Sequence, residues 1–306
     1  MMGSTVARRG FLGLAMLLAA PPLARAWTSD PQTAATTDAL RYLDASQRLT
    51  VEVMVNGKGP FPFLVDTGAN GSVISSGLVD RLGLARRGAV EVHGLAGAQT
   101  VDTVKIDRLR VGQRTHSGMM MSVVAGADIG AAGLLGLEWL GRNSLTLDYK
   151  ARTMHVGLAL AAPDAQTVVV KSHTKEGGLT LIDGVMPGAR LQAFLDSGST
   201  ITVGNMALFA AAKRNDAIVL SAAAINLDSV TGQVLEGRPA TLKSLTLGNM
   251  MLSNVPLVIG NVHTFKYWGV DDEPTILIGS DILQQFETVS LDFRRSEVRF
   301  RVSGAS

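Results

Sequence analysis

Asp66 and Asp196 are the residues of this 306-residue chain whose surroundings suit chemistry. Asp66 stands in Phe63-Leu64-Val65-Asp66-Thr67-Gly68-Ala69-Asn70, and Asp196 in Ala193-Phe194-Leu195-Asp196-Ser197-Gly198-Ser199-Thr200. Both stretches run from apolar residues into Asp, then a small hydroxyl residue, then Gly. Each regains an apolar residue seven places beyond the Asp, at Val73 and Val203. Two carboxylates brought together can hydrolyse an amide. That reaction needs a base to deprotonate water and an acid to polarise the carbonyl. Carboxylates about 3 Å apart cannot both ionise, so they share one proton and divide the two roles. Such a pair titrates as a unit.

The neighbouring residues fit the same scheme. Gly68 and Gly198 let the backbone turn tightly beside each acid. The hydroxyls of Thr67 and Ser197 can hydrogen-bond across an interface and hold the two loops rigid. The chain also carries its own contrast. Asp102-Thr103 and Asp228-Ser229 are followed by Val instead of Gly, and neither ends an apolar strand. A turn Asp usually caps a polar loop, which makes a purely structural role for Asp66 and Asp196 the weaker alternative.

Two related lobes must position these residues. Leu49 to Val55 alternates like a half-buried strand. Asn56-Gly57 signals a hairpin turn. Phe61 to Val65 delivers Asp66, Ser72 to Ser75 resumes a strand, and Leu78, Val79 and Leu82 have helical spacing. Val92-His93-Gly94-Leu95-Ala96-Gly97 reads as a hairpin tip. The second half repeats the plan. Leu179 to Ile182 and Leu191 to Leu195 are strands, and Asp228-Ser229-Val230-Thr231-Gly232 takes the hairpin-tip place. Ile276-Leu277-Ile278-Gly279 matches Leu134-Leu135-Gly136. Val289 to Arg294 matches Leu145 to Lys150. Agreement that far from the Asp motifs is the signature of an internal duplication. The expected fold is mainly β. It has two closed-barrel-like lobes with short helices, over 46–158 and 167–303, a linker at 159–166 and a cleft between the lobes.

Composition agrees. Hydrophobic residues make up 46% and charged residues 18%, enough for a substantial core. The 33 glycines breaking short apolar runs favour strands over long helices. The formal charge of +2 owes three positive charges to Arg8, Arg9 and Arg25. Without them the chain is near neutral and carries no basic footprint for nucleic acid. There are no cysteines, which excludes disulfides, thiolate metal sites and a Cys nucleophile.

At this point the sequence resembles the aspartic peptidase clan, in its retropepsin-like branch found in bacterial proteins. The resemblance rests on Leu64-Val65-Asp66-Thr67-Gly68-Ala69, on Phe194 to Thr200, and on the closures at Gly136 and Gly279. It spans about 50–300 and implies two fused β lobes with a peptide groove between them, with Asp66 and Asp196 as the catalytic pair. Pepsin-like relatives carry a Tyr in the first-lobe flap. Here Tyr42, Tyr149 and Tyr267 all lie elsewhere, and the Gly-rich tip is closer to retroviral flaps. His93, Gly94, Leu95 and Gly97, with Val230 and Thr231, are the expected flap and substrate contacts.

Other residues are assigned blander roles. His93, His116, His155, His173 and His263 show no metal-ligand spacing, so no metal is expected, and no cofactor fingerprint stands out. His93 is expected to be a solvated loop residue. Met119-Met120-Met121 reads as flexible strand-core bulk. Tyr267-Trp268 is expected in a loop, either lining the groove or covering a lobe edge.

Residues 1–26 read as a cleaved export signal of twin-arginine type. Arg8-Arg9-Gly10-Phe11-Leu12 opens an apolar run, and Ala24-Arg25-Ala26 offers small residues for cleavage. The run is short of the roughly 20 residues a spanning helix needs. Residues 27–45, polar and Ala/Thr-rich, are expected to be a mobile lead-in. The expectation is therefore a periplasmic or secreted aspartic endopeptidase that takes peptide or protein substrates as a monomer. The alternative is a catalytically silent peptide-binding module of the same fold.

Overall fold

The computed structural model describes residues 38–302, apart from 42, 46, 47, 142, 158, 176–178, 222 and 230. The expected export signal and the start of the lead-in fall outside the described residues. The architecture is mainly β, as two sheets that each fold back on themselves.

In the first half, Arg48–Val55 buries Leu49, Val51, Val53 and Val55 and exposes Glu52. It turns at Asn56-Gly57, both with positive φ (50° and 78°), the conformation that a two-residue turn between right-twisted strands requires. Lys58–Val65 then runs antiparallel to it. The eight-stranded sheet continues through Gly133–Leu135, Val73–Ser75, Arg114–Val124, Ala98–Val111 and Arg86–His93. Ala98–Val111 also pairs with Arg48–Val55, Val53 facing Val111, and this closes the sheet into a barrel-like loop. The helix Ser76–Leu82 forms where spacing predicted it. Ser75 caps its start by accepting from the Leu78 amide at 3.2 Å, and Gly83 ends it in the left-handed conformation.

The second half closes in the same way. Thr180–Met186, Ala189–Leu195, Thr275–Ile278, Val203–Gly204, Met250–Gly260 and Val234–Leu247 lie in that order, and Val185 faces Thr246 across the closure. Both halves share one local plan. Lys58–Val65 is parallel to Gly133–Leu135, which is antiparallel to Val73–Ser75. Ala189–Leu195 is parallel to Thr275–Ile278, which is antiparallel to Val203–Gly204. The Asp-bearing strand of each half is thus held beside the strand that ends in its closure glycine.

The matched segments at the two closures meet each other. Ser144–Asp148 pairs with Thr288–Asp292, Leu145 facing Leu291. This junction joins the two halves through backbone hydrogen bonds.

Two local expectations are corrected. Residues 38–45 contain strands instead of ending a mobile lead-in. Asp38–Arg41 pairs with Thr153–Gly157, and Leu43–Ala45 with Arg48–Val55; each covers a backbone edge that would otherwise lie unpaired. Residues 263–267 form a short helix, not a loop, anchored by fully buried Phe265. Tyr267 and Trp268 pack at its end, and Trp268 belongs to an apolar cluster with Phe194 and Leu277. Met121 is fully buried and Met119 packs against the core, as strand-core bulk.

Candidate active site

Each candidate acid sits where an apolar strand runs out. The Asp66 amide donates to the Leu135 carbonyl at 3.0 Å, and the Asp196 amide donates to Ile278 at 3.0 Å. Behind each acid the chain turns back over its own carboxylate. The Gly68 amide donates to Asp66 Oδ1 at 2.8 Å. The Gly198 and Ser199 amides both donate to Asp196 Oδ1 at 2.9 Å.

Thr67 and Ser197 lock the two loops together. The Thr67 amide donates to Ser197 Oγ at 3.1 Å, and the Ser197 amide donates to Thr67 Oγ1 at 3.0 Å. Each hydroxyl then donates across the interface, Thr67 to the Leu195 carbonyl at 2.8 Å and Ser197 to the Val65 carbonyl at 2.7 Å. All four bonds are buried, where an unmade partner would be costly. With both hydroxyls committed, neither loop can shift without the other.

The lock leaves no room for side chains at the next position. A Cβ on Gly68 would stand 2.6 Å from Asp196 Cγ, and one on Gly198 would stand 2.5 Å from Asp66 Cγ. The two carboxyls hydrogen-bond each other. Burial pushes the Asp66 carboxyl well above the usual carboxylate range, and the neighbouring Asp196 charge adds to the shift. Burial also raises Asp196, while the hydrogen bond from Asp66, the Ser199 and Gly198 amides, and the Arg48 charge favour its ionised form. Asp66 is raised the more strongly, so a proton shared by the two carboxyls is favoured there.

A second ring of contacts supports each loop, and sequence reasoning missed it. The Ser72 amide donates to Glu138 at 2.7 Å, and Ser72 Oγ accepts from the Gly136 amide at 3.0 Å. In the other half the Thr202 amide and hydroxyl both donate to Asp281, at 3.0 and 2.7 Å, and Thr202 Oγ1 accepts from the Gly279 amide at 3.0 Å. Burial raises the Glu138 carboxyl above its ordinary range. The signal was present in the chain: an acid two residues beyond each closure glycine.

Two hairpins roof the acids. The first joins Arg86–His93 to Ala98–Val111, and the second joins Ile225–Asp228 to Val234–Leu247. Their tips meet. Gln233 Nε2 donates to the Ala98 carbonyl at 3.1 Å, and a Cβ on Gly94 would stand 2.4 Å from Ser229 Oγ. Below them lies a cavity of about 660 Å³, lined by both acids and by His93, Gly94 and Leu95. Gly97 packs instead against Gln233. Thr231 is buried and bonds Ser229 at 2.9 Å, so it braces the second tip. Val230 lies outside the described residues.

His93 departs from the solvated loop role expected of it. Its side chain is 9% exposed, its Nδ1 lies 2.8 Å from His263 Nε2, and Tyr267 stacks on its ring. The first hairpin is thereby tied to the helix His263–Tyr267 of the other half, where the His263 amide and Thr264 hydroxyl also donate to Leu95 and Gly94 carbonyls at 2.9 Å. Tyr267 thus covers a lobe edge and grips the hairpin. Arg48 is the other omission. It lines the cavity, although its place in the alternating strand, beside Glu52 in parity, reads as solvent-facing.

Residues 51–139 match the model of a family described as aspartyl protease. This region is similar to that family of aspartic peptidases. The match takes in Asp66, the first hairpin, Gly136 and Glu138, and it stops short of Asp196. No curated protein matches the chain.

Proposed function

We propose that the chain is an aspartic endopeptidase whose single chain supplies both halves of the catalytic pair, Asp66 and Asp196. The observation that carries this reading is the hydrogen-bonded pair of carboxyls facing one cavity beneath two hairpins. Asp196, the more readily ionised member, takes a proton from a water held between the acids. That water attacks the scissile carbonyl carbon while Asp66 gives its proton to the carbonyl oxygen. A neutral tetrahedral diol results. Its collapse returns a proton to Asp66 and delivers the proton on Asp196 to the departing amine, which restores the one-proton pair. The substrate is an extended peptide or protein segment bound strand-wise beneath the hairpins. No cofactor enters this scheme, and the monomer suffices because both acids lie in one chain.

The export-type segment around Arg8-Arg9 supports work in the bacterial periplasm or outside the cell. The reading is tested by exposing the purified protein to a mixed peptide library from acidic to neutral pH, alongside Asp66→Asn and Asp196→Asn. Cleavage by the wild type that vanishes in both variants is the expected result. Peptide binding without cleavage in all three proteins would instead mark a silent binding module.

A further inference from the structure

The two halves of the cleft are built on one plan, yet their walls differ in charge. Thr50 faces Leu64, two residues before Asp66, and Leu181 faces Phe194, two residues before Asp196. Counting back two residues along the paired strands makes Arg48 and Leu179 equivalent. Leu179 is buried in an apolar cluster with Phe194, Phe265 and Leu277. Its counterpart is a guanidinium that lines the cavity.

Arg48 is held in place by only part of its donor set. Its Nη2 donates to the Ile129 carbonyl at 2.8 Å. Its Nε is buried with no hydrogen-bond partner, and no ion pair of Arg48 occurs among the described residues. It lines the same cavity as Asp66 and Asp196, and the charges of both act on it. A half-buried guanidinium with unused donors beside a peptide groove matches a carboxylate, which it can engage through two parallel hydrogen bonds. The remaining formal charge on the cavity wall is Asp228, carried on the second hairpin. Phe194, Ile201 and Leu277 give the other half of the cleft an apolar wall.

We propose that Arg48 is a specificity residue, selecting peptides with an Asp or Glu side chain on one side of the cleaved bond and an apolar side chain on the other. This rests on the peptidase reading above and deepens it.

The test compares paired peptides that differ only by Glu or Gln at the position enriched for acids in the library cuts. At pH 6 the wild type should favour the Glu peptide in kcat/KM by about 10- to 100-fold, the range for a hydrogen bond to a charged group. In Arg48→Leu that ratio should fall to about one, and in Arg48→Lys it should lie between. The wild-type ratio should also shrink below about pH 4, as the peptide's own carboxyl is neutralised. A change in the dyad's protonation would alter both peptides alike and leave the ratio untouched, so the ratio isolates recognition. Should Arg48→Leu fail to fold, Arg48→Lys and the wild-type pH series still decide.

Cleavage without an acidic preference, or with one that survives in Arg48→Leu, overturns the role of Arg48 and leaves the peptidase reading intact. If the wild type cuts nothing, library peptides carrying Glu, and their Gln counterparts, are titrated against Asp66→Asn. Tighter binding of the Glu peptide, lost on adding Arg48→Leu, upholds recognition by Arg48 while hydrolysis fails. No cutting and no binding removes both readings.

Discussion

Thr67 and Ser197 exchange hydrogen bonds in both directions, amide to hydroxyl at 3.1 and 3.0 Å, and each hydroxyl reaches on to a strand carbonyl of the opposite half. Thr67→Val keeps the shape and removes the oxygen. It leaves the Ser197 amide and the Leu195 carbonyl buried without partners, each at about 1–3 kcal/mol. We expect a loss of about 2–4 kcal/mol on that basis, read as a lower urea midpoint at unchanged slope. Thr67→Ser should recover most of it. A Thr67→Val protein as stable as wild type would mean that the hydroxyl lattice does not join the halves.

Gly68 and Gly198 should be intolerant for a reason unrelated to backbone freedom. A Cβ at either site meets the opposing carboxyl at 2.6 or 2.5 Å, so the carboxyl must move. Displacement by about 1 Å can cost about 100-fold in rate. Gly68→Ala and Gly198→Ala should therefore each lower kcat/KM at least that far. Gly77 is the control. It lies in the helix Ser76–Leu82 with open space around it, so Gly77→Ala should stabilise by about 0.5–1 kcal/mol and leave turnover unchanged. Equal effects at the three glycines would detach the close approach from catalysis.

The shape of this fold was largely legible because both Asp motifs end apolar strands and because the closures at Gly136 and Gly279 repeat. Periodicity reports what one strand does, so it located the strand Arg48–Val55 and the helix Ser76–Leu82. It does not report which distant segments meet. The pairing of Ser144–Asp148 with Thr288–Asp292 was visible only as a repeat, not as a contact. His93 and His263 are separated by 170 positions, and each alone looks like a solvated histidine. Arg48 was missed because alternation assigns a face but cannot tell a solvent-facing side from one that faces a cleft. The strands at 38–45 escaped because runs of four and three residues, Asp38–Arg41 and Leu43–Ala45, are too short to show a period. Backbone pairing at open sheet edges orders them instead.

The raised Asp66 carboxyl makes a prediction about stability. In the unfolded chain an Asp releases its proton near pH 4. The folded pair retains one proton to higher pH, since burial and the Asp196 charge lift Asp66. Between those two points the native state binds more protons than the unfolded state, so stability falls as pH rises through the window. Asp66→Asn removes the effect. The difference in Tm between Asp66→Asn and wild type should therefore grow in favour of the variant from about pH 4 upward. Lowered carboxyls elsewhere, such as Glu287 beside Lys150 and Arg301, cancel in this difference. A difference that stays flat with pH would mean that the pair shares no proton.

The contact between His93 and His263 should make the first hairpin sensitive to acid. Two ring nitrogens 2.8 Å apart can share one proton, but they cannot each carry one. Burial holds the His263 ring below its ordinary value, with Glu91 pulling upward and Lys266 pushing down. Glu91 also lies 3.5 Å from His93 Nε2, and burial with the Glu91 charge pushes the stacked Tyr267 hydroxyl up to about 12, so that ring stays neutral throughout. With the folded value depressed, the contact is intact above the unfolded value near 6.5 and weakens as pH falls through it. Opening that takes up one proton grows by up to about tenfold per pH unit. The Gly94 amide, which donates to Gly97 at 2.7 Å within the tip, should exchange with solvent correspondingly faster at pH 5 than at pH 7, after correction for intrinsic rates. His263→Phe should keep the stacking and abolish this dependence. A tip whose protection is the same at both pH values would show that the imidazole pair does not hold the hairpin down, leaving the amide of His263 and the hydroxyl of Thr264 as its anchors.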